Sequence, residues 1–193
     1  MTNSKVSTVQ VSKLKNLSEE ESRAIEEAYP IKTFDKGTYL LKAGQIAKEG
    51  YSVVQGCIRR FSIVDGEEIT TDFYTEGHTA ADFNSIASQA PSRHFFVCVE
   101  KTTVTVNNAE KEAAFYKKFP RFETMCRMEF ERMMGEKADK VEAFAQKSPE
   151  ERYMYLLEER PDLLSRVPQY QIASYLGVKP ETLSRIRKRI TIK

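Results

Sequence analysis

Val167-Pro168-Gln169-Tyr170-Gln171-Ile172-Ala173-Ser174-Tyr175-Leu176-Gly177-Val178-Lys179-Pro180-Glu181-Thr182-Leu183-Ser184-Arg185-Ile186-Arg187-Lys188-Arg189-Ile190 reads as two short helices joined by a tight turn. Ile172, Ala173 and Leu176 stand at i, i+1 and i+4, one face of a first helix that starts near Gln169. Gly177 follows the last apolar residue, where a left-handed C-cap is cheap only for glycine. Val178 plugs the gap between the helices. Pro180 falls at a first-turn position, where the missing N–H costs nothing. Leu183, Ile186 and Ile190 repeat at i, i+3 and i+7, so the second helix buries one stripe. Small Ala173 allows the close helix approach of a helix-turn-helix.

The other face of the second helix carries Glu181, Thr182, Ser184, Arg185, Lys188 and Arg189. From Lys179 to Lys193 there are six basic residues and one acidic one, whereas the whole chain is only +2. An ordinary helical hairpin with a solvated basic face would account for the charge. It would not account for the turn chemistry and the charge together, and the two point to DNA binding.

The chain has 193 residues, enough for one large or two small domains, and 40% of them are apolar, which permits a proper core. No apolar run approaches the roughly 18 residues needed to span a bilayer. Met1 to Leu17 lacks the apolar centre of a signal peptide. Cys57, Cys98 and Cys126 are widely spaced with no C-x-x-C, which fits reduced, buried thiols of a cytoplasmic protein.

Upstream of the helix-turn-helix, the character of the chain changes twice. Ser18 and Glu21 form a capping-box signature for a helix that runs to about Tyr29 and stops before Pro30. Six of the eight glycines then fall between Gly37 and Gly77, punctuating short apolar runs. Strands are expected at Thr38–Leu41, Tyr51–Val54, Cys57–Val64, Ile69–Tyr74, Phe95–Val99 and Thr103–Val106. Asp65-Gly66 is a two-residue hairpin signal. Strands this short at spacings of about ten residues predict a sandwich or jelly roll.

From Ala109 the pattern is helical again. Phe122 to Lys147 contains no proline, and Cys126, Phe130, Met133, Met134, Val141 and Phe144 recur at three- and four-residue steps. A helix of that length over-reaches one small domain, so the stripe predicts a dimer seam; the alternative is a helix covering the sheet of its own domain. Ser148-Pro149-Glu150-Glu151 starts another helix. It includes Tyr153, Leu156 and Leu157, ends near Arg160-Pro161, and leads through a short turn with Leu163 and Leu164 to the helix-turn-helix. The class is therefore α+β: a β-roll over residues 1–119, a long connecting and dimerisation helix over 120–147, and a helical helix-turn-helix domain over 148–193.

This order of parts resembles the Crp/Fnr family of bacterial transcription regulators. The most specific residues are Ile172-Ala173-Ser174-Tyr175-Leu176-Gly177 followed by Glu181-Thr182-Leu183-Ser184-Arg185, which match the family pattern I-A-x-x-L-G, then E-T-(apolar)-S-R, in register. Glu151-Arg152-Tyr153 resembles the start of the family's DNA-binding domain. Lys36-Gly37-Thr38-Tyr39-Leu40, Gly44, Gly56, Asp65-Gly66 and Glu76-Gly77 sit where the cyclic-nucleotide-binding fold has its turns.

The resemblance implies a homodimer on a palindromic double-stranded DNA operator, with RNA polymerase as a further partner and no membrane. Glu181 would accept from a cytosine amino group and Arg185 would donate to guanine or phosphate. Gln169, Lys179, Thr182, Ser184, Lys188 and Arg189 would complete the interface, mostly on phosphates. Pro180 stands where relatives often carry a polar side chain, which removes one base contact. With the sequence ending at Lys193, the two-stranded wing of the family is expected to be missing or vestigial.

Nucleotide-binding members hold the cyclic phosphate with a short helix N-terminus, a Gly-Glu pair and an Arg beside Ser or Thr. Here the candidate effector pocket is Gly77, Ala81, Asp82, Phe83, Asn84, Ser92 and Arg93. Ala81 replaces the glycine, Asp82 the glutamate, and Ser92-Arg93 is reversed. Cyclic AMP is therefore not expected. The effector is another small molecule, unidentified, or the roll is a scaffold without one. No resident cofactor or metal is expected.

Two readings from other classes stand beside this one. A cupin-like metal-binding jelly roll needs two or three histidines with a carboxylate, and this chain has only His78 and His94, with no H-x-H pair. A ligand-binding module whose degenerate helix-turn-helix contacts protein instead of DNA is the other. No nucleophile with a base and an orienting partner is evident, so no enzyme is expected.

Overall fold

The computed structural model describes residues 17–191; the expectations for the first sixteen residues and for Lys193 lie outside them. The described chain divides into two compact units. One holds the residues up to Arg60 and Phe73–Glu131, the other Phe61–Asp72 and the residues from Arg132 onward.

In the first unit, α1 (Glu19–Ala28) starts on the expected capping box. The Glu21 N–H donates to Ser18 Oγ at 3.1 Å and the Ser18 N–H donates to Glu21 Oε2 at 2.9 Å. The strands are β1 (Ile31–Phe34), β2 (Tyr39–Leu41), β3 (Glu49–Gln55), β4 (Ile58–Val64), β5 (Glu67–Tyr74), β6 (Thr79–Ala80), β7 (Phe95–Cys98) and β8 (Thr102–Asn108). They form two four-stranded sheets, ordered β1-β8-β3-β6 and β2-β7-β4-β5. All six expected strands are present. The structure adds β1 and β6, and a short helix α2 (Phe83–Ser88).

Strand alternation sorts the side chains. Tyr51 pairs with Val106 and Val53 with Val104, and all four are buried in the core between the sheets, with Ile58, Tyr74, Ala80 and Phe96. Ser52 and Thr105, one position off in the same pairing, take the opposite face of their sheet. At Gly56 (φ 113°) a Cβ would stand 2.6 Å from the Thr102 Cα, so the close approach of β8 requires glycine there. Beyond the roll, α3 (Ala109–Lys118) and the start of α4 (Pro120–Gln146) pack Phe115 and Phe122 with Ile25, Ala28 and Tyr29 of the α1 region. Cys57 and Cys98 are buried as expected, but Cys126 is half-buried, because it lies on α4, most of whose described residues beyond Phe122 are exposed.

The second unit combines the tip of the β4–β5 hairpin with the remainder of α4 and α5 (Pro149–Glu159), α6 (Pro161–Arg166), α7 (Gln169–Leu176) and α8 (Pro180–Thr191). Asp65 and Gly66 both have positive φ, 52° and 81°, as the expected two-residue hairpin requires. Ser148 caps α5, with Pro149 at the first position and Glu151 closing the capping box. The segment expected to be a short turn around Leu163 and Leu164 is helical, with Leu163 buried.

Candidate nucleic-acid interface and the roll pocket

Gly177 ends α7 at φ 71°. Its N–H donates to the Ser174 carbonyl at 3.1 Å and the Val178 N–H reaches back to the Ala173 carbonyl at 3.0 Å, so the orphan carbonyls of the helix end are satisfied within the turn. α8 then begins at Pro180. Ile172, Ala173, Leu176, Leu183 and Ile186 are all buried. Their burial sets the rotation of α8, and Glu181, Thr182, Ser184, Arg185, Lys188 and Arg189 are left exposed, as are Gln169 and Lys179. All the residues read as DNA-binding are therefore at the surface. Arg189 is also engaged within the unit, with its Nη2 3.1 Å from Glu150 Oε2.

Arg152 is the site residue whose role the sequence did not reveal. Its Nε donates to the Phe144 carbonyl at 3.0 Å and its Nη1 to the Leu176 carbonyl at 3.2 Å, while the guanidinium lies 4.8 Å from the Phe144 ring. Phe144, read as part of the dimer stripe, thus packs within its own unit, its ring 5.5 Å from that of Tyr175. Phe130 has its ring 5.1 Å from that of Phe83. The rest of the stripe differs in exposure: Met134 and Val141 are 45% and 62% exposed, while Cys126 and Met133 are intermediate.

In the roll, the structure brings Asp82, Ser92 and His94 together. Asp82 caps α2, accepting from the Ser85 N–H at 3.2 Å through Oδ1. Its Oδ2 accepts from Ser92 Oγ at 2.6 Å and lies 3.3 Å from His94 Nδ1. Burial pushes the Asp82 carboxyl up, but the hydrogen bonds from Ser92, the Ser85 main chain and His94 outweigh it and hold the group below its ordinary value. Ala81 is buried, and a Cβ on Gly50 would stand 3.3 Å from its methyl group. Phe83, Asn84, Gly77 and Arg93 are exposed. Of the expected pocket residues, then, Asp82 and Ser92 bond each other, while Arg93 is not drawn into the cluster. His94, weighed in the sequence only as one of two histidines too few for a metal site, is the member of this cluster that sequence spacing missed.

The other histidine, His78, has its Nδ1 3.2 Å from the Thr75 carbonyl. Among the described residues, no three His, Cys, Asp or Glu side chains converge to hold a metal, and no helix is long and apolar enough to cross a membrane. A shallow depression at the α3–α4 elbow, lined by Glu112, Tyr116, Lys117 and Glu123 among others, includes none of the expected site residues.

No protein-family model and no curated protein matches the sequence. Solved structures do match. The global regulator CLP of Xanthomonas campestris, described as c-di-GMP responsive, aligns with a TM-score of 0.68 at 13% identity, over 91% of this chain and 92% of that one. A CooA mutant from Carboxydothermus hydrogenoformans gives 0.66 at 16% identity, over 95% and 83% of the two chains. FixK2 from Bradyrhizobium japonicum gives 0.66 at 20% identity, over 85% of each. The chain has the fold of these Crp/Fnr regulators, a cyclic-nucleotide-binding-like roll followed by a helix-turn-helix.

Proposed function

We propose that this chain is a transcription regulator of the Crp/Fnr type that binds a palindromic double-stranded DNA operator as a homodimer through α8. One observation carries the reading. The buried stripe of Leu183 and Ile186 leaves Glu181 and Arg185, which suit base edges, on the same exposed helix as Thr182, Ser184 and Lys188, which suit phosphates. The pairing of chains is assigned to α4, where Met125, Met128, Phe130, Met134 and Val141 are all exposed apolar residues. Contact with RNA polymerase, activating or repressing, belongs to the same reading. Selection from a random DNA pool tests it. An inverted repeat with half-site centres about 34 Å apart is expected, and recovery of no sequence preference would contradict it.

The roll, in this account, is not a cyclic AMP receptor. Asp82 stands where relatives place the ribose-binding glutamate, and its carboxylate is already committed to Ser92, Ser85 and His94. Ligand binding there would first have to break that set. Calorimetric titration with cyclic AMP should give no saturable heat at micromolar concentration, and micromolar binding would overturn this part of the reading. Any effector is a different small molecule.

A further inference from the structure

Residues Phe61–Asp72, the tip of the β4–β5 hairpin, belong to the same compact unit as the helix-turn-helix. The chain enters that unit at Phe61, leaves it at Asp72, and enters again along α4. Ser174 of α7 joins the hairpin to the helices through two main-chain bonds. Its Oγ donates to the Glu68 carbonyl at 2.8 Å and accepts from the Thr70 N–H at 2.9 Å. β5 is an edge strand whose sheet neighbour is β4. An edge strand offers alternating N–H and C=O groups to whatever lies beside it. A hydroxyl is the smallest side-chain group that both donates and accepts, so Ser174 takes the place a neighbouring strand would fill. A carboxylate would accept only, an ammonium would donate only, and a methyl would do neither.

A further contact holds the same seam. Lys137 Nζ of α4 lies 3.8 Å from Asp72 Oδ2 at the hairpin's exit. Tyr175, next to Ser174, packs on Phe144, and its phenol is pushed up to about 12 by burial and then by the charge of Asp72. Thr70 is 4% exposed. Meanwhile the exposed face of α8 is not involved. The hairpin grips α7, the helix that sets the angle of α8, and leaves the DNA-facing side chains uncovered.

We propose that the tip of the β4–β5 hairpin is a working part of the DNA-binding unit, and that Ser174 is the positioning residue that fixes the helix-turn-helix on it. This rests on the DNA-binding reading above. It gives the roll two covalent routes to the helix-turn-helix, through the hairpin strands and through α4, and it makes the Ser174 contact the point where the hairpin route ends.

The test uses the full chain with Ser174→Ala, Ser174→Thr and Arg185→Ala, and reads two quantities: hydrogen exchange at the Thr70 amide and affinity for the selected operator. Ser174→Ala should speed Thr70 exchange and weaken operator binding by about tenfold, with base preference unchanged, because a main-chain donor and acceptor lose their partner. Ser174→Thr keeps the hydroxyl and should restore both. Unchanged exchange in Ser174→Ala would overturn the clamp, and unchanged affinity despite faster exchange would overturn the positioning role. A wild-type protein that binds no DNA while its Thr70 amide stays protected would instead sink the regulator reading and the positioning role with it. An intact Arg185-dependent operator complex, indifferent to Ser174→Ala, would sink the present proposal alone.

Discussion

Arg152 donates to the carbonyl oxygen of Leu176 at 3.2 Å, immediately before the Gly177 turn. A Cβ on Gly177 would stand 3.4 Å from the same Nη1, so the turn has an arginine packed against it. With its bond to the Phe144 carbonyl and its stack on the Phe144 ring, this one side chain joins the end of α4, the first turn of α5 and the turn of the helix-turn-helix. The planar, multiply donating guanidinium is the group that can make all three contacts at once.

Arg152→Ala should therefore destabilise the second unit by on the order of 2 kcal/mol, since two charge-assisted hydrogen bonds and a cation–π contact are lost from a half-buried site. Arg152→Lys should recover little of it, because an ammonium cannot make both bonds and the stack. Calorimetric melting of the three proteins checks this, and a lysine variant as stable as wild type would contradict the fork geometry.

Acid should act on the roll through Asp82. Its carboxyl in the folded chain titrates below its ordinary value of 3.8. The unfolded chain then binds a proton before the folded one does. The stabilisation is complete above the unfolded value and is lost as pH falls through the folded one. Asp82→Asn should cost about 1 kcal/mol at neutral pH, the scale of a lost helix cap or hydrogen bond. It should also show a shallower loss of stability below about pH 4 than wild type. Denaturant melts at neutral and acid pH measure both, and parallel acid limbs would contradict the assignment.

Sedimentation equilibrium at micromolar concentration should give a species of twice the 22.2 kDa of one chain. Charges placed on α4 at Met134 and Val141, 45% and 62% exposed, should shift it to the monomer without unfolding the roll. A wild-type chain that stays monomeric at high concentration would contradict the dimer.

Much of this was legible in local sequence. Gly177, Pro180, Ser148 and Asp65-Gly66 each require a particular backbone, and the structure has it at each of them. β1 and β6 were not legible. Three of the four residues of β1 are exposed and β6 has only two residues, so neither shows a buried-strand alternation. Nor were the contacts that now matter most. Asp82 meets His94 across twelve positions, and Ser174 meets Glu68 across more than a hundred. Such pairings are set by the path of the whole chain, which no spacing rule reports. Arg152 stood inside a motif, yet its hydrogen-bond partners are main-chain carbonyls, which no side-chain pattern reveals.

The central claim is that α8 reads DNA. Operator binding by wild type, Arg185→Ala and Lys188→Ala at two salt concentrations tests it most directly. Arg185→Ala should cost about 1–3 kcal/mol and relax base preference at one position per half-site. Lys188→Ala should weaken all sequences equally and reduce the salt slope by about one, because a phosphate contact carries no sequence information. If Arg185→Ala left both affinity and base preference unchanged, α8 would be a charged surface and not a recognition helix.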